Sequence, residues 1–159
     1  MTQQTQSYLT FKLDDELFAT NVSKVLEILE MKPITKVPKS PPFMKGVINL
    51  RGNILPVIDT RNKFCMPQEN FTIDTCIIVL SINNANDSLL VGAIVDSVQK
   101  VIDIPEDSVQ TSVSMGAIYR EDFISGIGKI DEDFIMILNI DKVFSTEEIL
   151  IMEGEKQVA

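Results

Sequence analysis

The feature that most constrains this chain is an internal duplication. Residues 46–64, GVINLRGNILPVIDTRNKF, lie over residues 126–144, GIGKIDEDFIMILNIDKVF, without a gap. Glycine meets glycine at one end and phenylalanine meets phenylalanine at the other. Between them Val47, Leu50, Ile54, Leu55, Val57 and Ile58 fall on Ile127, Ile130, Phe134, Ile135, Ile137 and Leu138. Each copy reads as two apolar strands around a polar turn. Upstream, FATNVSKVLEI (18–28) resembles GAIVDSVQKVI (92–102): a strand end, then valines three apart. Two copies of one small β-barrel fit this pattern, because closing each sheet removes its exposed edges.

The remaining segments agree with a strand-rich chain. Tyr8 to Ala19 reads as a hairpin turning at Asp14-Asp15. From Asn21 the apolar residues Val22, Val25, Leu26, Ile28 and Leu29 recur at helical spacing, so a short helix capped by Asn21 is expected over 21–29. Pro33, Pro38, Pro41 and Pro42 then stiffen an extended connection. Thr60 to Phe64 reads as a helical turn and 65–75 as a loop. Strands are expected over 76–82 and 89–95, around a turn at 83–88, with Val98 to Ile104 carrying on. Residues 105–122 read mostly as loop, 124–130 and 134–140 as a last hairpin, and 141–151 as a C-terminal helix. The fold class expected is all-β with small helices.

Composition narrows the function. The chain has 159 residues, a formal net charge of −9 and a pI near 4.5. That balance opposes a phosphate backbone, which needs clustered Lys and Arg. The start, MTQQTQS, lacks the charged and apolar regions of a signal peptide. The apolar runs fall far short of the ~20 residues of a membrane-spanning helix, so no direct membrane insertion is expected. Cys65 and Cys76 sit at no metal-like spacing and read as free thiols in a reducing, cytoplasmic compartment.

Catalysis is not expected. There is no histidine, which removes the commonest general base and leaves both cysteines without an activator. The carboxylate pairs Asp14-Asp15, Glu106-Asp107 and Glu147-Glu148 stand at turns or helix ends, where solvated acids are common. Gly126-x-Gly128 lacks the rest of a nucleotide fingerprint. No cofactor or metal is expected. The PxxP spacing of Pro38-Lys39-Ser40-Pro41 reads as a loop stiffener before it reads as a polyproline ligand. The alternative is an OB-like ligand- or nucleic-acid-binding barrel. Acidity and the absence of tryptophan argue against it.

Where the first copy has Arg51-Gly52-Asn53, the second has Asp131-Glu132-Asp133. The barrel itself therefore does not need an arginine at that turn, and Arg51 points to a task specific to the first copy. Three runs carry a resemblance. They are Val25-x-Glu27-Ile28; Ile34-Thr35-x-Val37-Pro38; and Pro42-Phe43-x-x-Gly46-Val47-Ile48-Asn49-Leu50-Arg51-Gly52-x-Ile54-x-Pro56-Val57-Ile58-Asp59-x-Arg61. Together they resemble the CheW family of bacterial chemotaxis coupling proteins. The likeness continues through Val91-Gly92-x-x-Val95-Asp96-x-Val98 and on to Asp141-Lys142.

This resemblance implies two similar five-stranded β-barrel lobes of SH3/OB-like form. It places lobe one near 8–66, lobe two near 72–143 and a C-terminal helix near 141–151, with strand exchange between lobes left open. It implies a non-enzymatic adaptor that links transmembrane chemoreceptors to the histidine kinase CheA. The implied partners are a chemoreceptor cytoplasmic tip and the kinase regulatory domain. Membrane association would come only through receptor arrays. It also implies a receptor-coupling groove between lobes that involves Glu27, Arg51, Gly46 and Val25. Ile28 and Val95 join these as apolar candidates for the groove; kinase contacts are not placed.

Overall fold

Short alternating apolar stretches pair locally, and turn residues decide where each strand stops. β1 (Thr5–Leu13) and β2 (Glu16–Asn21) form the first hairpin, turning at Asp14 and Asp15 with φ of 53° and 67°. Aspartate tolerates this left-handed region better than most residues do. The computed structural model describes residues 5–64, 66–67, 70–83, 88–110, 123–130 and 132–144.

The helix expected over 21–29 is not there. A 3-10 turn occupies Val22–Lys24, and Val25–Glu30 is strand β3. Asn21 does cap the turn, its side chain accepting from the Ser23 N–H at 2.9 Å. The apolar spacing misleads because β3 carries a bulge between Val25 and Glu27 where it pairs with β6.

β4 (Met44–Leu50), β5 (Asn53–Asp59) and helix α1 (Thr60–Lys63) follow, then β6 (Cys76–Asn83), β7 (Ser88–Val95) and β8 (Ser97–Pro105). After a second 3-10 turn, Glu106–Ser108, come β9 (Val109–Gln110), β10 (Ile124–Ile130), β11 (Asp133–Leu138) and helix α2 (Ile140–Val143). Of the C-terminal helix expected over 141–151, the described residues hold only the four-residue α2, which is capped at Phe144; residues 145–151 lie outside the described residues, as do 111–122.

The duplication is structural. β4 and α1 recur eighty residues later as β10 and α2, and β5 and β11 start at the same offset. Asp59 and Asn139 cap the two helices alike, accepting from the Asn62 and Lys142 N–H groups. Both hairpins bulge at the same place, Met44/Gly46 and Ile124/Gly126.

The sheets do not divide at residues 66–72. One sheet runs β3-β6-β7-β5-β4 and the other β8-β1-β2-β11-β10-β9. Each takes two strands from the other half of the chain, and each is joined by one parallel pairing, β5 with β7 or β11 with β2. Closure uses one device twice. Thr35, beyond β3, pairs with Val47 of β4 through two backbone hydrogen bonds of 2.9 and 2.8 Å. β9, beyond β8, pairs with Ile127 and Gly128 of β10 and adds a sixth strand to that sheet.

That closure fixes two glycines. A Cβ on Gly46 would run into the Thr35 carbonyl, and one on Gly126 into the Val109 side chain. Gly46 also sits at φ +152°.

Three apolar clusters result. Ile48, Leu50, Leu55, Val57, Ile77, Val79 and Ile94 fill the first barrel. Ala19, Ile104, Ile135 and Ile137 fill the second. The largest cluster lies between them, where Phe11, Phe18, Ile78, Leu80, Ile82, Val91, Leu138 and Phe144 meet from both sheets. β6 is apolar without alternation because its odd residues face a barrel and its even residues face this junction.

Candidate docking surfaces

The β4–β5 hairpin turns in two residues, Arg51 and Gly52, with φ of 51° and 87°. The Asn49 side chain accepts from the Gly52 N–H at 2.7 Å and holds the turn. Gly52 suits this geometry, but Arg51 does not: the left-handed region costs an ordinary L-residue about 1–2 kcal/mol. Its side chain reaches across the barrel mouth to Glu27 on β3, Nη2 to Oε2 at 2.5 Å. The Arg51 side chain is 70% exposed, so the ion pair contributes only about 0–1 kcal/mol to folding. The pair therefore does little to offset the cost of the turn.

β3 runs beside this pair. Leu26 and Ile28 are exposed on it, Val22 lies at its entry, and Val25 packs against the junction cluster. Exposed apolar side chains beside an ion pair make a face suited to a protein partner. The sequence-derived residues therefore divide. Val25, Glu27, Ile28 and Arg51 gather around β3 and the barrel mouth. Gly46 lies buried behind the closing Thr35 pairing, and Val95 is buried in the junction, paired with Cys76.

None of those six residues lines the larger apolar cleft. Phe18, Phe64, Met66, Phe123, Ile124, Met136 and Leu138, with Lys63, bound a volume of about 360 Å³ among the described residues. The aromatic rings run in a row, Phe11 to Phe18 at 6.0 Å, Phe18 to Phe64 at 5.6 Å and Phe64 to Phe123 at 5.6 Å. The Lys63 ammonium lies 4.5 Å from the Phe43 ring and 5.7 Å from that of Phe123. Sequence reasoning missed this cleft. Its residues carry the same alternation as core, and only their meeting across two sheets marks them.

Two charged clamps hold the sheets where the chain passes between them. Arg61 of α1 is 8% exposed and grips Asp96, which joins β7 to β8, by Nε–Oδ1 at 2.9 Å and Nη2–Oδ2 at 2.5 Å. Its Nη1 donates to the Pro67 carbonyl at 2.8 Å. Asp96 also accepts the Asp14 N–H at the β1–β2 tip, at 2.7 Å. Burial pushes the Asp96 carboxyl up, but the Arg61 hydrogen bonds, the Asp14 N–H and the Arg61 charge outweigh it and hold it below the usual range. In the second clamp Asp141 of α2 meets Lys24, just before β3, at 2.9 Å and accepts the Asn83 N–H at 3.0 Å.

Burial raises the Cys76 thiol above its ordinary value, which keeps it a thiol, not a nucleophile. Among the described residues no group of three His, Cys, Asp or Glu could hold a metal ion, and no helix is long and apolar enough to cross a membrane.

Two closed sheets sharing one core, with exposed apolar faces beside charged turns, define a protein-docking scaffold. A family model for the CheW-like domain matches residues 7–148. The chain belongs to the CheW family, and its role is that of a chemotaxis adaptor. It is 30% identical to the chemotaxis protein CheW of Klebsiella aerogenes over 149 residues, covering 94% of this chain and 87% of that one. It is 31% identical to CheW of Thermotoga maritima over 146 residues, 92% and 91% of the two chains. The crystal structure of the scaffolding protein TtCheW from Thermoanaerobacter tengcongensis superposes with a TM-score of 0.79 at 31% identity, covering 91% of this chain and 96% of that one.

Proposed function

We propose that this chain couples a chemoreceptor cytoplasmic tip to the regulatory domain of the histidine kinase CheA, by binding each on a separate face. The receptor tip lies along β3, on Val25, Leu26 and Ile28, and is oriented by the Glu27–Arg51 pair. An amphipathic receptor helix would place its apolar face there in the helix-in-groove manner. Gly46 and Val95 act on this face indirectly, by fixing β4 and the junction behind it. The kinase domain takes a face that the receptor leaves free, and the Phe18–Phe64–Met136 cleft is our candidate. The product is an assembly, with no chemical turnover: a chain without histidine lacks the usual proton-transfer group. Receptor state then reaches the kinase as a coupling free energy between two binding sites. The protein works in the cytoplasm and meets the membrane only through receptors.

The observation that carries this reading is an arginine kept at a strained turn for an ion pair of little worth to the fold. Pulldowns with a receptor cytoplasmic fragment and with the kinase regulatory domain test it. Arg51→Ala should lose the receptor and keep the kinase domain, and Met136→Ser the reverse. Binding of neither partner by the unaltered protein would end the proposal.

A further inference from the structure

The overall acidity of this chain conceals a local reversal. Between Glu30 and Asp59 there is no acidic residue, but there are Lys32, Lys36, Lys39, Lys45 and Arg51. Arg51 is taken by Glu27, and Lys45 lies 5.3 Å from the Phe71 ring. Lys32, Lys36 and Lys39 are exposed and make no ion pair among the described residues.

The fold presents these lysines on a fixed frame. The Thr35–Val47 pairing pins the connection at one end, and the Met44 N–H to Pro41 carbonyl bond, 2.9 Å, pins it at the other. Ser40 donates its hydroxyl to the Val37 carbonyl at 2.8 Å and tightens the turn between. Lys39 stands in that turn at φ 61°, where glycine or asparagine would cost less. A polar hollow of about 280 Å³ opens at the foot of this turn, bounded by Lys36, Ser40, Pro42, Lys45, Asp59 and Asn62, and Lys39 stands next to it without lining it. Asp59 is 8% exposed and accepts the Asn62 N–H; its one negative charge opposes an acidic ligand but is outnumbered by Lys36, Lys39 and Lys45.

We propose that this hollow and its lysines bind an acidic segment of a protein partner, whose Glu or Asp carboxylates enter between Lys36, Lys39 and Lys45. A protein segment fits better than a bilayer. A short segment samples only charges within a Debye length, about 8 Å at physiological salt. An extended anionic surface meets the whole molecule, whose formal net charge of −9 repels it. The proposal stands apart from the β3 docking face and does not rest on it.

Fluorescence anisotropy on the full chain tests it, with a fluorescein-labelled peptide of four glutamates separated by alanines. Three lysines become glutamine together: Lys36→Gln, Lys39→Gln and Lys45→Gln. A control variant, Lys12→Gln, Lys100→Gln and Lys129→Gln, removes the same charge from the other sheet. The first should weaken binding about tenfold and the control by less than about twofold, with affinity falling as salt rises. Equal weakening by both variants, no binding at low salt, or tighter binding to phosphatidylglycerol vesicles or to a 20-nucleotide oligo-dT would overturn the proposal.

Discussion

Arg61 and Asp141 occupy the same place, the second residue of a four-residue helix, eighty residues apart and with opposite charge. Each grips a residue beside the point where the chain crosses between sheets, Asp96 or Lys24, next to a hairpin-tip N–H bound by the acid of the pair. The duplication has kept the clamp and inverted its sign.

The two clamps should differ in worth because they differ in burial. Removing Arg61 as Arg61→Gln leaves Asp96 without its partner and should cost toward the lower end of about 3–5 kcal/mol, since Asp96 keeps some solvent. Lys24→Gln opens a more exposed pair and should cost no more than about 1 kcal/mol. Urea denaturation of both variants checks the difference.

Asp96 gives a pH signature. Its folded carboxyl is held below the ordinary unfolded value of about 3.9. The stabilisation it supplies is therefore full above that value and is lost as pH falls through the lower, folded one. Stability measured between about pH 5 and pH 2 should decline less steeply in Asp96→Asn than in the unaltered protein. Parallel curves would refute the assignment.

Arg51→Asn should separate folding from docking. Asparagine suits the left-handed first position of a two-residue hairpin, so the variant should melt at the same temperature or higher, gaining up to about 1 kcal/mol. Receptor-fragment binding should fall nonetheless. A lower melting temperature with intact binding would show that the arginine serves the barrel.

Gly46→Ala and Gly126→Ala probe barrel closure. Each added methyl meets the closing strand, Thr35 or Val109. Each should destabilise by about 1–3 kcal/mol, more at Gly46 where φ adds strain. Thermal melts of the two variants, compared with the unaltered chain, give the sign and the order.

Much of this architecture was legible because the repeat is local. The hairpins and the helical turn after Asp59 lie within short windows where apolar alternation and turn chemistry agree, whereas Asn139 and Ile140, read as strand, turn out to be the cap and first residue of α2. β3 was misread because a bulge makes its apolar spacing resemble a helix. Yet its own match, residues 92–102, runs into strand β8, and that likeness held the correct answer. The parallel pairings within each sheet, Val57 with Gly92 and Ile137 with Ala19, set that match one residue away from the sequence alignment. Nothing within one segment specifies a parallel pairing over such separations. The resemblance put Glu27 and Arg51 in one groove, and the structure joins them by an ion pair. The Phe18–Phe64–Phe123 row and the two clamps were not, because each joins residues that become neighbours only after the sheets exchange strands.

That exchange makes the gene hard to divide. A break in the chain between α1 and β6 would part β1 and β2 from the strands they complete, and β6 and β7 likewise. Neither half-chain should fold by itself, but the two, expressed together, should find each other and reconstitute the molecule. One lobe of such a molecule cannot be lost or replaced without unmaking the other.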